Sequence, residues 1–219
     1  MDAILNYDQW LLLAVNGSHT EWQDALWYAV SSRVSWILIA LAFVLTLIQM
    51  GKLDWRRSLL TLGVLALSIV LADQVASGWI KHLVERPRPT HTAGLAEMLH
   101  IVNGYRGGMY GFVSSHAANS FAVALLVSLI FRRWHVSASL FLWAALQCYS
   151  RVYLGVHYPT DILGGMLVGF AAAGICYAVY RFTCQRIDIP VHPNVDGRMM
   201  SFAVLLTLIC ILVVSFVNT

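Results

Sequence analysis

RSLLTLGVLALSIVLADQVASGWI, residues 57–80, decides the class of fold. Between Arg57 and the Lys81 that follows the run, Asp73 is the only ionisable side chain. About 20 mainly apolar residues carry a helix across roughly 30 Å of hydrocarbon, so this run is long enough to span. Asp73 is expensive in lipid and reads as a functional or pairing residue. It lies about two helical turns before Lys81, where it either supports a site or makes a structural hydrogen bond between helices.

Outward from this run the pattern repeats. Apolar stretches near 25–50, 112–131, 136–154, 160–181 and 199–217 predict an all-α, polytopic membrane bundle of about six transmembrane helices. Residues 2–15 are too few to cross. With Ile4, Leu5, Leu11, Leu12 and Val15 on one face, and Asp2, Asn6, Asp8 and Gln9 largely elsewhere, they predict an N-terminal interfacial amphipathic helix. The 219 residues are 59% hydrophobic and 11% charged, with mean hydropathy +0.69. Soluble domains carry roughly a quarter charged residues, so most of this chain belongs in the bilayer. A disordered chain and a secreted disulfide scaffold are excluded, and 1–219 is expected to form a single membrane domain.

Charge sets the expected orientation. Lys52, Arg56, Arg57, Arg132, Arg133, Arg181, Arg186 and Arg198 fall on one side, as the positive-inside rule prefers for the cytoplasm. The net charge of +3 is too small to argue for nucleic acid. Cys148, Cys176, Cys184 and Cys210 sit in apolar stretches without paired spacing and read as small buried hydrophobes. The first ten residues lack the basic start of a secretory signal, so the first spanning helix is expected to act as the insertion signal. Gly165-x3-Gly169-x3-Ala173 predicts close helix packing.

Three polar clusters interrupt the apolar runs. In Lys81-His-Leu-Val-Glu-Arg-Pro-Arg88-Pro89, the prolines stop regular helix between two cations. Taken alone, that cluster is also what a snorkelling basic flank looks like. In Gly111-Phe-Val-Ser114-Ser115-His116, Ser114 is a plausible N-cap. Capping would leave N–H groups of Ser115 and His116 at a helix N-terminus, where an anion is stabilised. In Ser150-Arg151-Val-Tyr-Leu-Gly-Val-His157-Tyr-Pro-Thr-Asp161, Pro159 opens a helix. Asp161 can then reach back to His157 and fix which ring nitrogen holds the lone pair. The first two clusters flank one outer loop, 81–116, and two crossings return the third to the same side. Two histidines, an orienting carboxylate, three cations and a helix end together suit phosphoryl transfer through a histidine nucleophile.

These three segments resemble the signature of the type 2 phosphatidic acid phosphatase superfamily, which shares its site design with vanadium haloperoxidases. Lys81-x6-Arg88-Pro89 and Ser150-Arg151-x5-His157-x3-Asp161 match at every defining position, in order. The second segment departs from Pro-Ser-Gly-His, with Val113 and Ser115 in place of proline and glycine, while Ser114 and His116 are kept.

The resemblance implies catalysis by His157, His116 and Asp161. His157 would attack phosphorus, Asp161 would orient it, and His116 would protonate the leaving oxygen. Lys81, Arg88, Ser114, Ser115 and Arg151 would bind phosphate, with Asp73 and Ser150 behind them. The cations stand where other phosphatases place a divalent metal, so neither metal nor cofactor is expected. His82, His91 and His100 are too widely spaced to suggest a zinc site. The expected partners are the bilayer and a membrane lipid phosphate. Undecaprenyl pyrophosphate and a lipid A phosphate lead; phosphatidylglycerol phosphate and phosphatidic acid also fit. The location implied is a bacterial inner membrane with the site facing the periplasm. Two rival readings are a lipid flippase or transporter, with Arg33 and Asp73 lining a pathway, and a silent scaffold.

Overall fold

The computed structural model describes residues 2–217, with side chains from residue 5 onward, so Asp2 and Ile4 of the expected amphipathic face lie outside the described side chains. The described residues form helices α1 (Asp2–Gly17), α2 (Glu21–Ser31), α3 (Ile37–Leu53) and α4 (Trp55–Asp73). A π-helical segment, Gln74–Ile80, leads into the short α5 (Lys81–Val84). Then come α6 (Ser115–Phe131), α7 (Trp134–Tyr153), α8 (Pro159–Arg186) and α9 (Arg198–Val217).

The fold is all-α, but the expected count of six spanning helices is corrected to four. Arg33–Leu53, Trp55–Val84, Pro159–Arg186 and Arg198–Val217 are long and apolar enough to cross a membrane. The run near 112–131 yields only the 17 residues of α6, because Ser114 caps the helix late, its hydroxyl accepting from Ala117 N–H. The run near 136–154 yields 20 residues in α7, but His135, Ser137, Ser139, Gln147, Ser150 and Arg151 dilute its apolarity. The run near 25–50 is broken by Ser32, which is extended between α2 and a 3₁₀ turn at Arg33–Trp36.

In the N-terminal helix one detail of the expected pattern is corrected: Asp8, placed off the apolar face, is buried. In α1 the buried stripe is Asp8, Leu12 and Asn16, one per turn, against α7 and α8. Asn16 donates to the carbonyls of Tyr153 at 2.8 Å and His100 at 2.9 Å, and accepts from His100 N–H at 2.8 Å. Two of these three buried side chains are polar, because they bond backbone of a loop and of a helix start that would otherwise stay unsatisfied.

Packing between α6 and α8 is the most extensive in the molecule. A Cβ built on Gly165 would lie 2.4 Å from the Ser114 carbonyl oxygen, and one on Gly169 would lie 2.4 Å from that of Ala118. Backbones that close need a stripe of small residues, as the Gly165-x3-Gly169 spacing predicts. The contact sets the N-terminus of α6 beside that of α8, where Ser114 N–H donates to the Asp161 carbonyl at 3.0 Å.

Candidate active site

The second half of the first cluster is irregular by construction. Glu85 takes a left-handed φ of 50° and ends α5, and Pro87 pairs with Tyr110 in an isolated antiparallel bridge. Arg88 N–H donates to the Met109 carbonyl at 2.9 Å, so the returning strand of the loop holds the Arg88 backbone. Gly107 sits beside it at φ +69°, and a Cβ there would come within 2.9 Å of Arg88 Nη1. A side chain at that position would be both strained and in the way of the guanidinium.

Arg88 then reaches His157. Its Nη1 lies 3.0 Å from His157 Nε2 and also donates to the Val156 carbonyl at 3.1 Å, while its Nε donates to the Tyr110 carbonyl. On the other side of the imidazole, His157 Nδ1 lies 3.3 Å from Asp161 Oδ2. A guanidinium only donates and a carboxylate accepts. The two contacts together put the proton on Nδ1 and the lone pair on Nε2. His157 is 1% exposed. Burial first, then the charges of Arg88, Arg151 and Lys81, hold its imidazole well below the ordinary histidine value, in the neutral form. Arg88 is itself pushed down to about 10, by burial and then by Arg151, and stays cationic at neutral pH.

Asp161 is buried and fully engaged. Oδ2 accepts from Tyr158 N–H at 3.0 Å, and Oδ1 accepts from Arg86 Nη1 at 3.0 Å. Arg86 also donates to Thr160 Oγ1 at 2.7 Å and to Asp8 Oδ2 at 2.7 Å, and lies 3.9 Å over the Tyr158 ring. Asp8 in turn accepts from Thr160 through both its N–H and its hydroxyl. Neither Asp8 nor Arg86 figured among the residues expected from sequence. The available signals were an aspartate within an apolar N-terminal stretch and a third cation between Lys81 and Arg88.

Of the remaining expected residues, Ser115, His116, Arg151 and Asp73 gather around a cavity of about 400 Å³. Arg88, Ser115, His116 and Arg151 line it, as do Asp73 and Asn119. Lys81 Nζ donates to Ser115 Oγ at 2.8 Å, and Ser115 Oγ also meets Ser77 Oγ at 2.7 Å. Asp73 accepts from Ser77 and Asn119, which ties it to the same group. Arg151 donates to the Ser31 hydroxyl and, at 3.0 Å, to the Tyr105 hydroxyl. The His116 ring makes no hydrogen bond among the described residues. Ser150 is turned away: its hydroxyl donates to the Gln147 carbonyl of its own helix at 2.6 Å. His157 does not line the cavity; Arg88 does, and caps His157 Nε2. Among the described residues no group of three or more His, Cys, Asp or Glu side chains is placed to hold a metal ion.

Residues 59–184, more than half of the chain, match the PAP2 superfamily. The chain is 34% identical over 197 residues to a lipid A 4′-phosphatase of Porphyromonas gingivalis, covering 89% of this chain and 83% of that protein. It is 33% identical over 226 residues to a lipid A 4′-phosphatase of Bacteroides thetaiotaomicron, covering the full length of both. Its backbone superposes on the crystal structure of Aquifex aeolicus LpxE with a TM-score of 0.59 at 25% identity, covering 77% of this chain and 93% of that one.

Proposed function

The chain belongs to the PAP2 superfamily, and on that premise we propose that it hydrolyses the phosphate ester of an envelope lipid, a lipid A phosphate by preference, through a phosphohistidine. The observation that carries this reading is the bracketing of His157 by Asp161 at Nδ1 and Arg88 at Nε2. The preference for lipid A rests on the two relatives of that name, and undecaprenyl pyrophosphate is the next candidate.

In this mechanism phosphate enters the cavity lined by Arg88, Arg151 and His116. Arg88 exchanges its bond to His157 Nε2 for a phosphate oxygen, which exposes the lone pair. Nε2 forms a bond to phosphorus while the bond from phosphorus to the leaving oxygen breaks, and Asp161 stabilises the imidazolium that develops. His116 takes up a proton as the anionic phosphate binds among the cations, delivers it to the leaving oxygen, and then takes one from the water that cleaves the phosphohistidine. Arg88, Arg151 and Lys81, with the N–H groups opening α6, hold the equatorial oxygens. Such preorganised donors each contribute on the order of 10²–10³ in rate. Three cations in these positions take the charge-stabilising part that a divalent ion plays in other phosphatases, so the reaction is expected to run without one. The reading puts the site at the periplasmic face of a bacterial inner membrane, in keeping with the basic residues on the opposite side. Arg33 and Asp73, on which a transport reading rested, line the same cavity as His116.

The test is phosphate release from a lipid panel by purified protein in detergent, with and without chelator, beside His157→Ala. Release by the wild type, an acid-labile phosphoenzyme and its loss in His157→Ala are expected. Release that survives His157→Ala removes the proposed nucleophile, and release lost to chelator removes the metal-free claim.

A further inference from the structure

We propose that a second cavity, which shares His116 with the phosphate cavity, receives the polar part of the leaving group, and that Arg33 there binds an anion which that leaving group carries. The proposal rests on the phosphatase reading and deepens it. The second cavity, of about 290 Å³, shares His116, Arg33 and Tyr105 with the first. His116 is the proton donor to the leaving oxygen in that reading, so the second space that it borders is where the rest of the leaving group lies.

The walls of this space are rich in donors and contain no carboxylate. Tyr28, Ser31, Ser32 and Arg33 come from the end of α2 and the turn after it. Ser31 accepts from Arg151, and its own O–H has no acceptor among the described residues. Tyr105 likewise accepts from Arg151 at 3.0 Å with its own O–H unspent. The Tyr28 hydroxyl makes no hydrogen bond among the described residues, and its ring packs edge-on to Tyr105. Arg33 is exposed and makes neither a hydrogen bond nor an ion pair among the described residues. Ser32 alone is already committed, to the Ala29 carbonyl at 2.7 Å.

Three unspent hydroxyl donors and an unpaired guanidinium call for acceptor oxygens and for negative charge. A neutral alcohol leaving from a simple phosphate ester would meet the hydroxyls and leave Arg33 unused. A leaving group that is itself anionic uses both. Two sources have that chemistry: a phosphorylated sugar lipid bearing a second phosphate, and the inner phosphate of a prenyl pyrophosphate. Arg151 joins the two cavities, since one guanidinium faces the phosphate site and buttresses Ser31 and Tyr105.

The experiment compares the wild type with Arg33→Gln and Arg33→Lys on three lipids in mixed micelles. The lipids are a bis-phosphorylated glucosamine disaccharide lipid, its counterpart lacking the second phosphate, and undecaprenyl pyrophosphate. Arg33→Gln is expected to lower kcat/KM for an anionic leaving group on the order of tenfold more than for the singly phosphorylated disaccharide, as loss of one charged hydrogen bond implies. Arg33→Lys is expected to keep most of that discrimination. A selective loss on the bis-phosphorylated lipid puts the anion on the sugar, and a selective loss on the pyrophosphate puts it on the inner phosphate. An equal loss on all three lipids overturns the proposal, since Arg33 would then act on the phosphate they share. No loss on any lipid overturns it as well. Failure of the underlying reading looks different: the wild type itself would release no phosphate from any of the three.

Discussion

Arg86 Nη1 donates to Asp161 Oδ1 at 3.0 Å, and the other arm of the same guanidinium donates to Asp8 Oδ2 at 2.7 Å. Two buried carboxylates, 0% and 1% exposed, thus share one cation. Removing that cation alone leaves both charges buried without it, which typically costs about 3–5 kcal/mol. Arg86→Met is therefore expected to lower thermal stability in detergent sharply. Asp8→Asn in the same chain should recover part of the loss, with a coupling of about 0.5–3 kcal/mol in the double-mutant cycle. Additive effects would mean that Asp8 and Arg86 do not act as a unit.

The near contact of α8 on α6 predicts a sharp contrast between two glycines of one helix. Gly165→Ala drives a Cβ against the Ser114 carbonyl, and overpacking of that kind costs about 1–3 kcal/mol. It also pushes Asp161 away from the end of α6, where a misplacement of about 1 Å can cost on the order of 10² in rate. Gly174→Ala has nothing within 4 Å of the new Cβ and should stabilise by about 0.5–1 kcal/mol with activity kept. Thermal unfolding and phosphate release read both variants. Equal tolerance of the two would argue that the α6–α8 contact is looser than described.

His157 is held neutral by burial and by the cations around it, so its imidazolium forms only well below the ordinary value of about 6.5. The neutral form that carries the Nε2 lone pair is present above the depressed value and is lost only as pH falls through it. Nitrogen-15 spectra of histidine-labelled protein, assigned with His157→Gln, should still show the neutral Nδ1–H tautomer at pH 6. An imidazolium signal for His157 at pH 6.5 would contradict the arrangement.

Ser115 occupies the place of the glycine in the superfamily pattern, and its hydroxyl accepts from Lys81. Lys81→Met removes a cation and is expected to cost on the order of 10²–10³ in kcat. Ser115→Gly keeps the cation and the backbone N–H, and is expected to cost less than about tenfold. Single-turnover kinetics on one lipid separates the two. A loss from Ser115→Gly as severe as that from Lys81→Met would make the hydroxyl itself part of the phosphate grip.

Much of the site was legible because its chemistry is carried by short segments with fixed internal spacing. His157 and Asp161 stand four residues apart across Pro159, and their contact follows from one turn of chain. The contact of Arg88 with His157, 69 positions apart, was not among the expectations: the crossings put their two clusters on one side, and the resemblance made Arg88 a phosphate ligand. The spanning count was overstated because hydropathy counts apolar residues without seeing where a helix begins. Ser32 and Ser114 stop or start helices inside apolar runs, and Gln147 and Arg151 face inward from α7. Asp8 was assigned to water because a carboxylate in an amphipathic pattern is ordinarily solvated. Its partners, Thr160 and Arg86, lie 152 and 78 positions away, and no local pattern announces them.

The π-helical segment Gln74–Ile80 fixes the azimuth of Lys81 relative to α4. Hydrogen bonds there skip one residue more than in ordinary helix, so the segment holds a surplus residue within an otherwise regular rod. Rewinding the segment as ordinary helix with all of its residues kept would turn everything downstream by roughly 100° about the axis, aiming the ammonium away from Ser115. The wide turn is therefore what lets a chain of this length between Asp73 and Lys81 bring the ammonium onto Ser115, so the winding of the segment matters there as much as the identities of its two ends.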